Sequence, residues 1–442
     1  MLIMRDGLPP GPRMPHAAQT VLMWRFAHHW LRRCRRRYGD TFTVYAAPSG
    51  TIVYLTNPAD IKTVFAGDPA VYHAGEANSV LRGVLGDSSV LLLDEDRHRD
   101  RRRLMLPPFH RDAVRRQADL MAEIAAEDVA RWPVGRAFPV APRMAAITLE
   151  VILRTVIGTR EPERLAALRR ALPPVVNMGL LDVTSMIYPE LLRHRPWHGV
   201  RRRREEADRL LRAEITARRA DPELAERPDV LSMLVRAADE DGRGMTDDEL
   251  RDQLVTLLAA GHETTATGLS WTLERLVRHP EILRRAVEAA DSGDDDYLDA
   301  IVKESLRIRP VVYDVARKLT APAEVAGYRL PAGTLVMPGI GLVHESADRY
   351  PTPERFDPDR MLRTTPPPTV WLPFGGGGRR CLGATFALIE MRVVLREILR
   401  RVHLEPTTAP AERQRVKAIT LVPHHGARIR VRTRTREWLA LS

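Results

Sequence analysis

The 442-residue sequence predicts one domain, residues 1–442, mainly α-helical with a small β region. Three observations predict that class. Helical patterning runs almost unbroken from about residue 58 to residue 310. The β-prone runs are short and lie before and after it. Helices and strands do not alternate, which argues against a βαβ architecture.

The elements follow in chain order. Residues 1–18 form a proline-rich lead-in, whose "LPPGPR" favours stiff, extended chain. "WRFAHHWLRRCRRRYG" carries helical spacing and stops at Gly39. "DTFTVYAAPSGTIVYLTNP" holds two alternating runs around a Pro-Ser-Gly turn, the mark of a hairpin. Within the helical stretch, residues 181–199 are irregular and apolar and read as a lid between two helices. "TDDE" at Thr246–Glu249 is a capping box, and His279-Pro280 closes the helix it opens. That helix has some thirty residues and spans roughly 45 Å, enough to cross a domain. Short strands return in "AEVAGYRLPAGTLVMP"; a helix opening at Cys381 runs to about Val402; residues 418–434 read as a final hairpin.

Composition narrows the function. Hydrophobic residues are 44% and charged residues 28% of the chain, ordinary for a globular enzyme. Two cysteines, Cys34 and Cys381, are too few for a disulfide framework or a four-thiolate zinc site. No apolar run reaches transmembrane length, and the N-terminus lacks a secretory h-region, so a cytoplasmic protein is expected. The net charge of +11 is carried by arginine; lysine occurs only at 62, 303, 318 and 417. Most basic runs are interleaved with acids, as in "RRRREEADRLLRAE", a solvated helix face and not a nucleic-acid patch.

Four motifs carry chemistry. "FGGGGRRCLG" is neither a phosphate loop, which needs Lys-Ser or Lys-Thr after its last glycine, nor a dinucleotide fingerprint, since Arg380 stands where a small residue is required. A cysteine at the start of a helix, beside Arg379 and Arg380, favours a thiolate. A single thiolate without companion ligands suits an axial ligand of haem iron better than zinc or an iron–sulfur cluster. The plain alternative is a buried structural cysteine. "AAGHETTATG" lies in mid-helix. There Gly261 permits close approach of a flat group, and the Thr264 hydroxyl is placed to bond back to the Ala260 carbonyl beside Glu263. An acid and an alcohol beside a metal suit proton relay; the alternative is a glycine-interrupted core helix. "HETTA" lacks the second histidine of a zinc protease. In "KESLR", Glu304 and Arg307 share a helix face, and "PERF" offers Arg355 for a structural Glu–Arg–Arg cluster. In "HRDRRR", His98 and Arg102 lie four apart, a spacing suited to gripping a carboxylate; the alternative is an exposed basic helix.

Together and in this order, the motifs resemble those of the cytochrome P-450 family of haem-thiolate monooxygenases, in its actinobacterial form. The likeness covers nearly the whole chain. "FGGGGRRCLG" fits the family's cysteine loop at Phe374, Gly377, Arg379, Cys381 and Gly383. The resemblance implies a triangular prism with haem between the long central helix, at Ala260 and Gly261, and the cysteine-loop helix. It implies haem b with Cys381 as axial metal ligand and Arg379, His98, Arg102 and Arg317 on the propionates. Glu263 and Thr264 are then the catalytic acid and alcohol. The implied reaction inserts one oxygen atom of O2 into a lipophilic substrate, with electrons from NAD(P)H through a ferredoxin and its reductase. The alternatives are a haem sensor without turnover, or the same haem catalysing coupling or isomerisation. By family position the substrate pocket draws on residues 79–90, 181–188, Ala260, 311–315, where Asp314 is the odd polar residue, and 420–421. Arg99, Arg101, Arg103, Arg380, Arg392, Arg396 and Arg400 are expected to receive the ferredoxin. A monomer is expected.

Overall fold

The computed structural model describes residues 5–176 and 179–433; the first four residues of the lead-in and residues 434–442 lie outside them. The helix Asp247–Leu276 runs through the centre, as its capping box requires. The Thr246 hydroxyl accepts the Glu249 amide at 3.2 Å, and the Glu249 carboxylate accepts the Thr246 amide at 2.9 Å. Helices Ala141–Val151, His198–Arg219, Asp295–Ile308 and Ala384–Arg401 pack around it. The main hydrophobic core fills the space between them.

A five-stranded sheet lies to one side. Its order is Thr41–Ala46, Gly50–Leu55, Leu335–Pro338, Arg317–Leu319 and Tyr72–His73. All neighbours are antiparallel except the second and third strands. Alternation along a strand sends successive side chains to opposite faces. Ile52 and Tyr54 therefore join one core cluster with Leu31 and Phe42, while Val53 and Leu55 join another with Ile61 and Val336. The sheet is buried on both faces. The same alternation buries Arg317 along with Leu319, with Arg317 opposite Val336 in register.

Three sequence expectations need correction. The first helix begins at His16, eight residues before the expected start, with a kink at Phe26; it ends at Tyr38 before Gly39, as expected. The segment taken for an irregular lid holds the helix Leu180–Ile187 and a 3-10 turn Pro189–Arg193, with the next helix starting at His198. The final hairpin is not one. Thr420–Pro423 pairs back to Gln414–Lys417, Arg428–Ile429 pairs with Phe138–Pro139, and Val431–Thr433 pairs with Val402–Leu404. Strand propensity marked the runs, but their partners lie elsewhere in the chain.

Among the described residues no helix is long and apolar enough to cross a membrane.

Candidate functional site

The cysteine loop is closed by a backbone bond from the Cys381 amide to the Phe374 carbonyl, 2.9 Å. Its glycines answer two constraints. Gly375 and Gly377 have φ of 63° and 64°, which side-chain-bearing residues rarely adopt. Phe65 also presses on the loop: a Cβ at Gly376 would lie 2.3 Å from the Phe65 ring, and one at Gly377 would lie 2.1 Å from its carbonyl oxygen. The helix expected to open at Cys381 opens at Ala384, so the cysteine sits in the turn ahead of it. The Gly383 amide bonds the sulfur. Burial pushes the Cys381 thiol up, against the pull of that amide and of Arg102 and Arg380. Cys381 is nevertheless solvent-accessible while enclosed by protein on nearly every side. A sulfur left accessible at the start of a packed helix is what a bound group between this loop and the central helix would need.

The central helix has a matching feature. Ala260 is exposed although the helix is packed along most of its length, and Glu263 and Thr264 are half-buried. The Thr264 hydroxyl donates to the Ala260 carbonyl at 2.5 Å, the back-bond the sequence suggested. Gly261 faces elsewhere than expected: a Cβ there would lie 3.2 Å from Cδ1 of Ile152, so its smallness serves packing against a neighbouring segment. Glu263 has a partner that motif reading missed. Lys417, at the end of strand Gln414–Lys417, places Nζ 2.8 Å from its carboxylate. The signal available was scarcity, a lysine where arginine is the rule.

Four basic residues converge from separate elements. His98 and Arg102 lie on the helix Glu95–Met105, Arg379 in the cysteine loop and Arg317 in the sheet. Burial, with Arg379 and Arg102 nearby, pushes His98 down to about 4. Burial and Arg379 push Arg317 to about 10; burial chiefly pushes Arg379 to about 10, and it lowers Arg102 too. Among the described residues the carboxylate in this group is Asp94, which ion-pairs Arg379. Among the described residues, Arg102 and Arg317 have no carboxylate within ion-pair distance. One buried and two half-buried guanidiniums that share a single acid, beside an accessible thiol, fit a group with two carboxylates and an iron, as the resemblance implies. Asp94 was missed because acids opening a helix read as partners of the helix dipole.

Away from the cleft, the Glu–Arg–Arg cluster exists with one member exchanged. Glu304 and Arg307 form a bidentate pair with both contacts at 2.8 Å and side chains 0% and 1% exposed. The third arginine is Arg360, its Nε 3.6 Å from Glu304. Arg355 contributes only its backbone carbonyl, which accepts from Arg307 at 3.2 Å, and its side chain is exposed. The spacing in "DPDR" and not that in "PERF" brings a guanidinium back to the helix.

Asp314 accepts from the buried Tyr54 hydroxyl at 2.9 Å, and burial pushes it up to about 6. Of the pocket segments, 79–90 and 181–188 pack against each other. Thr420 and Leu421 are buried, whereas Val416 and Ile419 at the hairpin tip are 63% and 61% exposed. The arginines expected to receive a partner are mostly spent internally. Arg99 pairs with Asp96, Arg101 with Glu249, Arg103 with Glu240, Arg392 with Asp299 and Arg396 with Asp295. Arg380 and Arg400 are exposed without an ion-pair partner among the described residues, as are Arg111, Arg115 and Arg116. The short helix Arg111–Arg115 packs against the helix that follows the cysteine loop.

A family model described as Cytochrome P450 matches residues 6–428. Cytochrome P450 135B1 of Mycobacterium tuberculosis (strain H37Rv), a name that gives a family and no substrate, is 65% identical over 442 residues, covering 99% of this chain and 93% of that protein. Cytochrome P450 135A1 of the same strain is 44% identical over 427 residues, 96% of this chain and 95% of that protein. Among solved structures, a retinoic acid-bound cyanobacterial CYP120A1 superposes with TM-score 0.83 at 23% identity, over 97% of this chain and 99% of that one. The heme domain of cytochrome P450DA gives 0.82 at 24%, over 98% and 99%. At such identities the structural likeness is one of fold.

Proposed function

Because the chain belongs to the cytochrome P450 family, haem-thiolate monooxygenases, we propose that Cys381 is the thiolate of this one. We propose further that it inserts oxygen into a lipophilic substrate with electrons passed from NAD(P)H through a ferredoxin system. The observation that carries this is the accessible interior sulfur of Cys381 beside four converging basic side chains.

Bound haem supplies the oxygen-activating iron, and thiolate donation favours cleavage of the O–O bond. The remaining work belongs to side chains. Arg102, Arg317 and Arg379 hold the propionates by charge, and His98 serves as a neutral donor. Thr264 Oγ1 has one proton, given at rest to the Ala260 carbonyl; to relay, the hydroxyl turns that proton away from Ala260 and passes it on while a lone pair accepts the next. Glu263, whose carboxylate pairs with Lys417 Nζ, must first take up a proton before it hands one to Thr264, so its part is to shuttle protons and not to store one. The accessible Val416 and Ile419 favour an apolar substrate. An acidic ferredoxin docks by charge on the face around Arg111, Arg115, Arg116 and Arg380.

The test is spectroscopic. Reduced protein under carbon monoxide should give a thiolate-type band that Cys381→Ala abolishes; a histidine-type band in the wild type refutes the assignment. For the relay, Thr264→Ala should lower product formed per NAD(P)H consumed, and unchanged coupling would remove Thr264 from it.

A further inference from the structure

Among the described residues, Asp94 is the acid placed with the basic side chains of the site, and it makes several contacts at once. Its Oδ1 accepts the Gly75 amide at 2.8 Å and its Oδ2 the Glu76 amide at 2.9 Å, so it caps the turn Ala74–Ala77 from a distant part of the chain. Oδ1 also accepts Nη2 of Arg379. Gly75 allows this approach: a Cβ there would lie 2.8 Å from Oδ2 and 2.4 Å from the Leu92 carbonyl oxygen. Of the surrounding charges, Lys318 pairs with Glu76 at 2.6 Å, and His73 lies between carboxylates, its Nδ1 3.5 Å from Asp94 Oδ2 and its Nε2 3.1 Å from Glu95. Asp94 is therefore tied at once to the cysteine loop and to the chain that leads into residues 79–90.

Counting formal charges in the cradle gives three guanidiniums, Arg102, Arg317 and Arg379, against the single carboxylate of Asp94. Three minus one leaves +2. His98, held neutral by burial, adds nothing at pH 7. Haem b carries two propionates, a charge of −2. We infer that Asp94 is a positioning residue that fixes Arg379 and trims the cradle's charge to that of the two propionates, so that it sets the reduction potential of the bound haem. This rests on the reading that the arginines hold the propionates. Without Asp94 the site would carry an excess positive charge, which favours the reduced, less positive iron.

The experiment uses the haem-loaded full chain and measures its midpoint potential, and the rate of haem loss to an excess of apomyoglobin. Asp94→Asn keeps an oxygen to accept the Gly75 or Glu76 amide but removes the charge. It should raise the ratio of reduced to oxidised protein at fixed potential roughly tenfold, a shift of about 59 mV for one electron, with haem lost no faster than from the wild type. Asp94→Glu should restore the wild-type potential. An unchanged potential in Asp94→Asn overturns the inference, and faster haem loss with unchanged potential marks Asp94 as a cap only. Arg102→Leu and Arg379→Leu serve as the control on the underlying reading. If both keep haem as the wild type does, the cradle itself is wrongly assigned. If they lose it faster while Asp94→Asn changes nothing, only the role of Asp94 fails.

Discussion

Replacing Arg307 with methionine tests the buried clamp and the exchange of its third member. Arg307 donates two hydrogen bonds to Glu304 at 2.8 Å, one to the His344 carbonyl at 2.9 Å and one to the Arg355 carbonyl at 3.2 Å. Methionine fills much of the space but leaves the fully buried Glu304 with the Asp357 amide at 3.1 Å and Arg360 at 3.6 Å. A buried charge stripped of its partner costs about 3–5 kcal/mol. Arg360→Met leaves the bidentate pair intact and removes a longer contact, a loss of about 1 kcal/mol. Arg355→Ala removes an exposed side chain whose backbone bond survives, and should cost less than about 0.5 kcal/mol. Urea midpoints by far-UV circular dichroism rank the three variants. Destabilisation by Arg355→Ala equal to or above that by Arg360→Met refutes the exchange. Stability of Arg307→Met within about 1 kcal/mol of wild type refutes the clamp.

Asp314 is held up to about 6, above its unfolded value near 4. Its protonated form is the one the fold prefers, so its contribution is present below pH 4 and lost as pH rises through 6. Asp314→Asn should cancel a decline of at most about 3 kcal/mol across that window, seen as a flatter stability difference from wild type; parallel curves contradict it. Lys417→Met should speed hydrogen exchange at the amides of residues 414–420 by up to about fivefold, the worth of a partly exposed ion pair. Exchange that does not change excludes the pairing with Glu263 in solution. Electron transfer from an acidic ferredoxin should slow with ionic strength and with Arg115→Glu or Arg380→Glu, because these guanidiniums are exposed and unpaired among the described residues. Arg392→Gln, already engaged with Asp299, should leave the rate unchanged, and an effect as large as that of Arg380→Glu would return docking to the original set.

What the sequence made legible was local. The capping box at Thr246, the Thr264 back-bond to Ala260 and the Glu304–Arg307 pair each depend on residues three or four apart, and each is found as expected. Family resemblance supplied His98, Arg102, Arg317 and Arg379, which do converge. What failed depended on distant partners. Strand propensity in residues 418–434 could not say that three strands pair with three different segments. Counting arginines could not show which were already paired. Nor could the run of glycines in the cysteine loop show that Gly376 and Gly377 answer to Phe65, more than three hundred positions earlier.

The cradle shows why the second kind of information resists a motif search. A motif records the residues that meet a ligand. It does not record the residue that corrects their sum. Arg317 is buried because strand alternation puts it on the same face as Leu319, whereas Arg379 is half-buried in the loop that closes on Phe374 and Arg102 half-buried on the helix that carries His98. Each has a local reason, and no local reason limits the total charge they bring. Burying three guanidiniums without acids is costly, so either the ligand or the protein must balance them. Asp94 does part of this in the protein, and an acid at a helix start had a sufficient local explanation of its own. Its second role follows only from adding four charges from three parts of the fold together, and a measured potential in Asp94→Asn decides whether that addition is what the chain uses.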